Sequence, residues 1–567
     1  MATATLDRSL QQLNDLKNQF GLTYSRKIAS LLKRIAHRQI EDAESLIRLH
    51  EILLFIRAYP HTPEIVKQAE RLLRTFPLRI ARLHASDSDL SALDHPEVSG
   101  IAGTSVMDTF AYQIVCWLEE HRPGQVDFYW EWFEDENRLA ETWPRFMPLL
   151  EEDAFVEANV PYRDWLRNAR GNRPELSWLL NWFRQLPLSE TNKAELYNAQ
   201  KLYVRWRFTY RDSRTGLRLL MQNVFYHDAP LIQRRDVRLK EELSRPAPVL
   251  QKLSTKEGQA AIDMARAAST VRYRELYGFT NGDPRTVCKT SLGRGVELLI
   301  IALPPEKRLP LRAYHSAMIY KNGVPVGYFE GLSLFERMES GFNLYYTFRD
   351  GETAWLYARI LSVMRHLTGV ASFSLDPYQV GFENEEGIES GAFWFYRKMG
   401  FRSTRRSIQK LTEGEESKIA SRKYYRTPPA TLRRLAEAPM ILELDEKRTG
   451  DWDRFQIRNV GFAVQRMMAK KFGGDVKRMR NTAVRYLAQI LRVEPIQFSK
   501  TQQEVFEDFS LVLLLLPNLK SWSDKEKELL NSIIQAKGNS HEDRYLRMMQ
   551  KHARLREAMI KLGNDEG

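Results

Sequence analysis

Two cysteines in 567 residues, Cys116 and Cys288, cannot build a disulfide framework or a cysteine-ligated zinc site, and they suit a reducing compartment. Long apolar runs are also missing. The opening MATATLDRSLQQLNDLKNQFGL contains no apolar stretch of signal-peptide length. The most apolar segment, FSLVLLLLPNL at 509–519, is about half a bilayer span and carries a proline, so it reads as a buried helix. The expectation is therefore a cytoplasmic protein with no transmembrane segment. Several chemistries are excluded by their motifs. There is no G-x-x-x-x-G-K-[ST] phosphate loop and no G-x-S-x-G elbow, and HEILL at His50 lacks the second histidine of a helical zinc motif. No repeat of fixed period and no long low-complexity linker interrupts the chain.

What is present is an ordinary globular composition, 43% hydrophobic and 28% charged, enough for about three or four domains. Lys and Arg outnumber Asp and Glu by 13, which favours anionic partners such as nucleic acid, phosphorylated cofactors or membrane surfaces. Residues 1–250 have a helical texture. Leu31, Ile35, Ile40, Leu46 and Leu53 recur at roughly helical intervals, and Thr62-Pro63-Glu64 reads as a cap, a first helical position and a first-turn acid. The aromatic stretches VDFYWEWFEDENRLAETWPRF and ELSWLLNWFRQLP read as core.

From about 255 to 420 the pattern changes. GVELLIIALPP is an apolar strand, and YHSAMIYKNGVPVGYFEGLSLF is two strands joined at Asn322-Gly323, the strongest short hairpin signal. GFNLYYTF predicts a third strand, GETAWLYARILSVMRHLTG a helix closed by Gly369, and VASFSLDPY another strand. A loop, an aromatic helix in ESGAFWFYRKMGF and a final strand in FRSTRRSIQKL complete a mixed sheet with helices on its faces. Residues 425–567 read as helical again. The segment 462–487 holds seven Lys/Arg against one Asp, a solvated face or a contact for nucleic acid or an acidic protein.

Ala392, Tyr396, Gly400 and Phe401 form the pattern A-x-x-x-Y-x-x-x-G-F, and with the strand order around them residues 255–420 resemble the GCN5-related N-acetyltransferase (GNAT) superfamily. The resemblance implies an α/β GNAT-like sheet domain flanked by helical regions, with acetyl-CoA or another acyl-CoA as donor and an amine as acceptor. It implies a pyrophosphate loop at Thr347, Phe348, Arg349, Asp350, Gly351, Glu352, Thr353 and Ala354, resting on the amides that open a helix. Tyr396 is then the acid that protonates the departing thiolate; without the resemblance it reads as a core tyrosine. The family loop is Q/R-x-x-G-x-G/A. Arg349 and Ala354 match, but Glu352 stands at the central glycine and Asp350 adds a second carboxylate. Either those side chains turn away from the phosphates or CoA is not held in the usual manner. Glu330, a carboxylate in an apolar strand, is the candidate base, with His315 and Asp376 as further candidates. The resemblance and the charge leave two rivals open: an aminoacyl-tRNA-dependent transferase of the same fold, and a non-catalytic scaffold.

Overall fold

In the computed structural model, which describes residues 2–86, 88–147, 162–539 and 541–565, helices start where their caps predict. Thr62 accepts from the Ile65 amide, Pro63 takes the first turn, and the helix runs Pro63–Leu73. The chain divides into two compact units of several segments each. The first comprises Met1–Pro230, Asp263–Thr280 and Asn322–Pro325; the second comprises Leu231–Ile262, Asn281–Lys321 and Val326–Gly567.

The first unit is mostly but not wholly helical. Three short strands, β1 (Ser105–Asp108), β2 (Val126–Phe128) and β3 (Val204–Arg207), form an antiparallel sheet with β3 in the middle. This corrects the expectation of a purely helical N-terminal region. Strands of three or four residues are too short for a two-residue period to stand out among helical spacings. Of the aromatic stretches, Phe128, Trp143, Trp178 and Phe183 lie in the core, whereas Trp132 is exposed. Trp143 and Trp206 are fully buried, Trp117 meets Trp206 edge-on at 6.4 Å, and the Trp143 indole donates to Gln200 at 2.8 Å.

A nine-stranded mixed sheet organises the second unit. Its strands are β4 (Gln251–Lys252), β5 (Cys288–Gly293), β6 (Val296–Ala302), β7 (Ala313–Lys321), β8 (Val324–Leu334), β9 (Arg337–Leu344), β10 (Ser372–Leu375), β11 (Arg402–Ser403) and β12 (Met440–Glu443), in the order β11-β12-β10-β9-β8-β7-β6-β5-β4. β10 runs parallel to β9, as a strand reached through a helix can, and β12 runs antiparallel to both β10 and β11. The connecting helix, Thr353–Thr368, ends at Gly369, whose φ of 78° lets its amide return to Arg365.

Two expectations need correction. FRSTRRSIQKL contributes only the two residues of β11. It then becomes the helix Arg406–Ser421, with Ile408, Thr412 and Glu415 buried at helical spacing. The region beyond 425 is not wholly helical either, because Met440–Glu443 inserts between β10 and β11. Among the described residues beyond 443 there are helices and connecting turns and no further strand. FSLVLLLLPNL is helical only over 509–513, the end of the helix Lys500–Leu513; its remainder forms a turn with Pro517 and Asn518 exposed. No helix among the described residues is long and apolar enough to cross a membrane.

Candidate functional site

The sheet opens between its parallel strands. β9 and β10 pair at only three positions, Arg337–Ser372, Met338–Phe373 and Glu339–Ser374, although β9 continues to Leu344 against β8. One residue past the last pair, the Ser340 hydroxyl reaches the Ser374 carbonyl at 3.4 Å and the Tyr357 hydroxyl at 3.1 Å. Beyond it β10 ends at Leu375 and the chain turns into the short helix Pro377–Val380, so β9 runs on to Leu344 without β10 beside it.

The chain leaving β9 reaches the helix Thr353–Thr368 through the turn Tyr346–Phe348, in which Thr347 and Phe348 are buried. Among the described residues the amides of Thr353, Ala354 and Trp355 have no acceptor, and the Gly351 amide is used by the Phe348 carbonyl. Thr353 donates its hydroxyl to the Arg349 carbonyl at 3.1 Å. Arg349 lies over the exposed Tyr346 ring and pairs with Glu386, so its cation stays at this helix start. Asp350 is exposed. Glu352 is fully buried and turns away: it pairs with Arg294 at 2.5 Å and Lys321 at 3.4 Å, and accepts from the Ile232 amide. Of the two carboxylates in the loop, the one at the central glycine position is therefore consumed inside the fold.

Tyr396 and Glu330 lie on opposite faces of the sheet. Tyr396, in the helix Ala392–Lys398, is 4% exposed and packs edge-on against Tyr357 and Phe401. Burial pushes its hydroxyl well above the ordinary phenol range, and no hydrogen-bond partner for it exists among the described residues. Tyr357 meets Ser340 on one face of β9; the next residue, Gly341, pairs with Glu330 on β8, so Glu330 projects from the other face. Burial raises the Glu330 carboxyl, and a hydrogen bond from Tyr314 partly offsets the shift. His315 is not part of this group. It is buried toward Glu542 and Asp543, and desolvation lowers its pKa.

Below Glu330, on the same face, is a cavity of about 550 Å³. Leu332 and Leu334 of β8 and Arg337 and Glu339 of β9 form its floor, and the segment 453–458 forms one wall. Asp376 lies at its edge but spends one oxygen capping the Tyr378 amide. The Arg337 side chain is 14% exposed, donates to Ser374 at 2.9 Å, and lies against the rings of Trp452 and Phe455. Comparison with protein-family models, with curated proteins and with solved structures finds no match for this chain.

The sequence pattern did not single out Tyr357, Ser340 or Arg337. Arg337 and Glu339 alternate on a strand, which places two charges on one face, and that was the available signal. The ring contacts that hold Arg337 come from more than a hundred residues away.

Proposed function

We propose that the chain transfers an acyl group, acetyl being the simplest, from an acyl-CoA thioester to an amine. The observation that carries this reading is the opening between β9 and β10 beside a helix start whose glutamate is turned inward. The helix Thr353–Thr368 between the parallel strands β9 and β10 supports the reading. Unused amides at Thr353, Ala354 and Trp355, together with the helix dipole and Arg349, suit a pyrophosphate. A thioester supplies an acyl carbon already activated for attack. Glu330, made more basic by burial, would take the proton of the attacking amine, and Tyr396 would hold a proton for the departing sulfur. Tyr396 is held by its ring contacts, so its position requires no rearrangement.

Calorimetric titration with CoA and acetyl-CoA, followed by thiol release in the presence of an amine panel, tests the proposal. Micromolar binding with amine-dependent thiol release is expected. Absence of both binding and release would rule it out.

A second reading has its own support. Lys470, Lys471, Lys477 and Arg478 are exposed on and between the helices Ile457–Phe472 and Val476–Leu491, which suits an RNA-borne donor. Affinity for tRNA that falls steeply and linearly with log salt would favour it.

A further inference from the structure

The cavity below Glu330 is lined by five arginines, Arg312, Arg337, Arg405, Arg454 and Arg458, against four carboxylates, Glu339, Asp376, Glu437 and Asp453. Arg312 and Arg337 share one carboxylate, Glu339, at 3.9 and 3.7 Å. Arg405 reaches Glu437 at 3.8 Å, and Asp453 is held by Arg402 from outside the cavity. Arg454 and Arg458, on the wall, are exposed and have no ion-pair partner among the described residues. Desolvation of the Arg337 guanidinium lowers its pKa, so an anion brought to it would be favoured by an under-compensated cation in a poorly solvated site. Guanidinium groups also hold oxyanions by paired, directional hydrogen bonds, which an ammonium cannot reproduce.

The position of this charge matters more than its amount. Glu330 is two residues along β8 from Leu332, and the pairs Glu330–Gly341 and Leu332–Glu339 are neighbours on one face. The rise between them is about 7 Å. Arg337, opposite Leu334, lies four residues or about 13 Å along the strand from Glu330, which sets the span an acceptor must bridge.

We propose that the acceptor is a small amine whose own skeleton carries an oxyanion, a carboxylate or a phosphate, held by Arg337, Arg454 and Arg458 while its nitrogen faces Glu330. This rests on the acyl-transfer reading for the use made of the amine, but the binding site stands on the cavity itself. In the reaction the amine nitrogen forms a bond to the acyl carbon as the C–S bond breaks. Its proton passes to Glu330, and the thiolate receives one from Tyr396.

The test separates binding from turnover. The full chain, without any acyl-CoA, is titrated with matched pairs: lysine against cadaverine for the carboxylate, and glucosamine 6-phosphate against glucosamine for the phosphate. At least one anionic member should bind tenfold or more tighter than its partner, and the pair that discriminates identifies the anion. R454A/R458A should erase that preference without lowering the melting temperature, while R454K/R458K should retain part of it. Equal binding within both pairs, a preference for cadaverine, or an unaltered preference in R454A/R458A would overturn the proposal. The same amines are then offered with acetyl-CoA. An anion preference in binding with no thiol release keeps this site and rejects acyl transfer. Release with uncharged amines and no anion preference keeps acyl transfer and rejects this site.

Discussion

The hydroxyl of Tyr396 can be removed without disturbing the ring that packs on Tyr357 and Phe401. Tyr396→Phe should therefore keep its melting temperature while kcat falls about 10²–10⁴-fold, with acyl-CoA affinity little changed. A destabilised variant with normal kcat would return this tyrosine to the core. The Glu352 cluster gives a stability prediction. Glu352→Gln strands Arg294 and the buried Lys321 without their carboxylate and should cost about 3–5 kcal/mol of folding stability in denaturant titration. Burial lowers Lys321 from its ordinary 10.5 to about 8, with Glu352 pulling the other way. Between those values the unfolded chain holds a proton that the folded chain lacks. Stability relative to Lys321→Met should therefore rise as pH rises from 8 to 10.5, and a gap that stays constant would show that Lys321 does not titrate in that window. The sequence suggested Glu352 as an obstacle to phosphate. Its partners lie 58 and 31 positions earlier, and no local spacing points a glutamate toward cations that far away. Tyr396 was legible because its helix carries its own pattern of four aromatics followed by Gly-Phe.

Elements with strong local chemistry were the legible ones. Asn322 and Gly323 take φ of 48° and 79°, the left-handed pair that a tight hairpin turn requires. The Asn322 amide group donates to the carbonyls of Ala58 and Phe225 as well. A methyl group at Gly323 would meet the Leu219 carbonyl oxygen at 2.2 Å as well as straining the turn. Gly323→Ala should destabilise the protein by more than the ~1 kcal/mol typical of left-handed glycines, measured by chemical denaturation. β12 was missed because MILE holds only three consecutive apolar residues, which a helical neighbourhood explains equally well. FRSTRRSIQKL begins as a strand, but its buried positions change in spacing from two, at Phe401 and Ser403, to four, at Ile408 and Thr412, and the longer element takes most of it.

At the level of the whole molecule, the sheet of the second unit depends on residues from its far C-terminal end. Arg556, in the helix Ala553–Asn564, donates to both oxygens of Glu336 in the β8–β9 turn at 2.8 and 3.0 Å, and Trp452 donates to the same carboxylate. Arg556→Met should cost about 3–5 kcal/mol, because it leaves a buried carboxylate short of its cation. Restoration of stability in a Glu336→Leu/Arg556→Met double variant, seen as a recovered melting temperature, would identify the loss as that of an unpaired charge. Wild-type stability in Arg556→Met alone would mean that the pair contributes nothing. The interleaving of the two units also bears on the order of synthesis. The first unit includes Asn322–Pro325, where Asn322 donates to the carbonyls of Ala58 and Phe225 and Gly323 accepts from Leu219, so it cannot close while the ribosome has made only its first 230 residues. Its last hydrogen bonds become possible only after residue 325 has emerged, and until then its unfinished surface is open to chaperones and proteases.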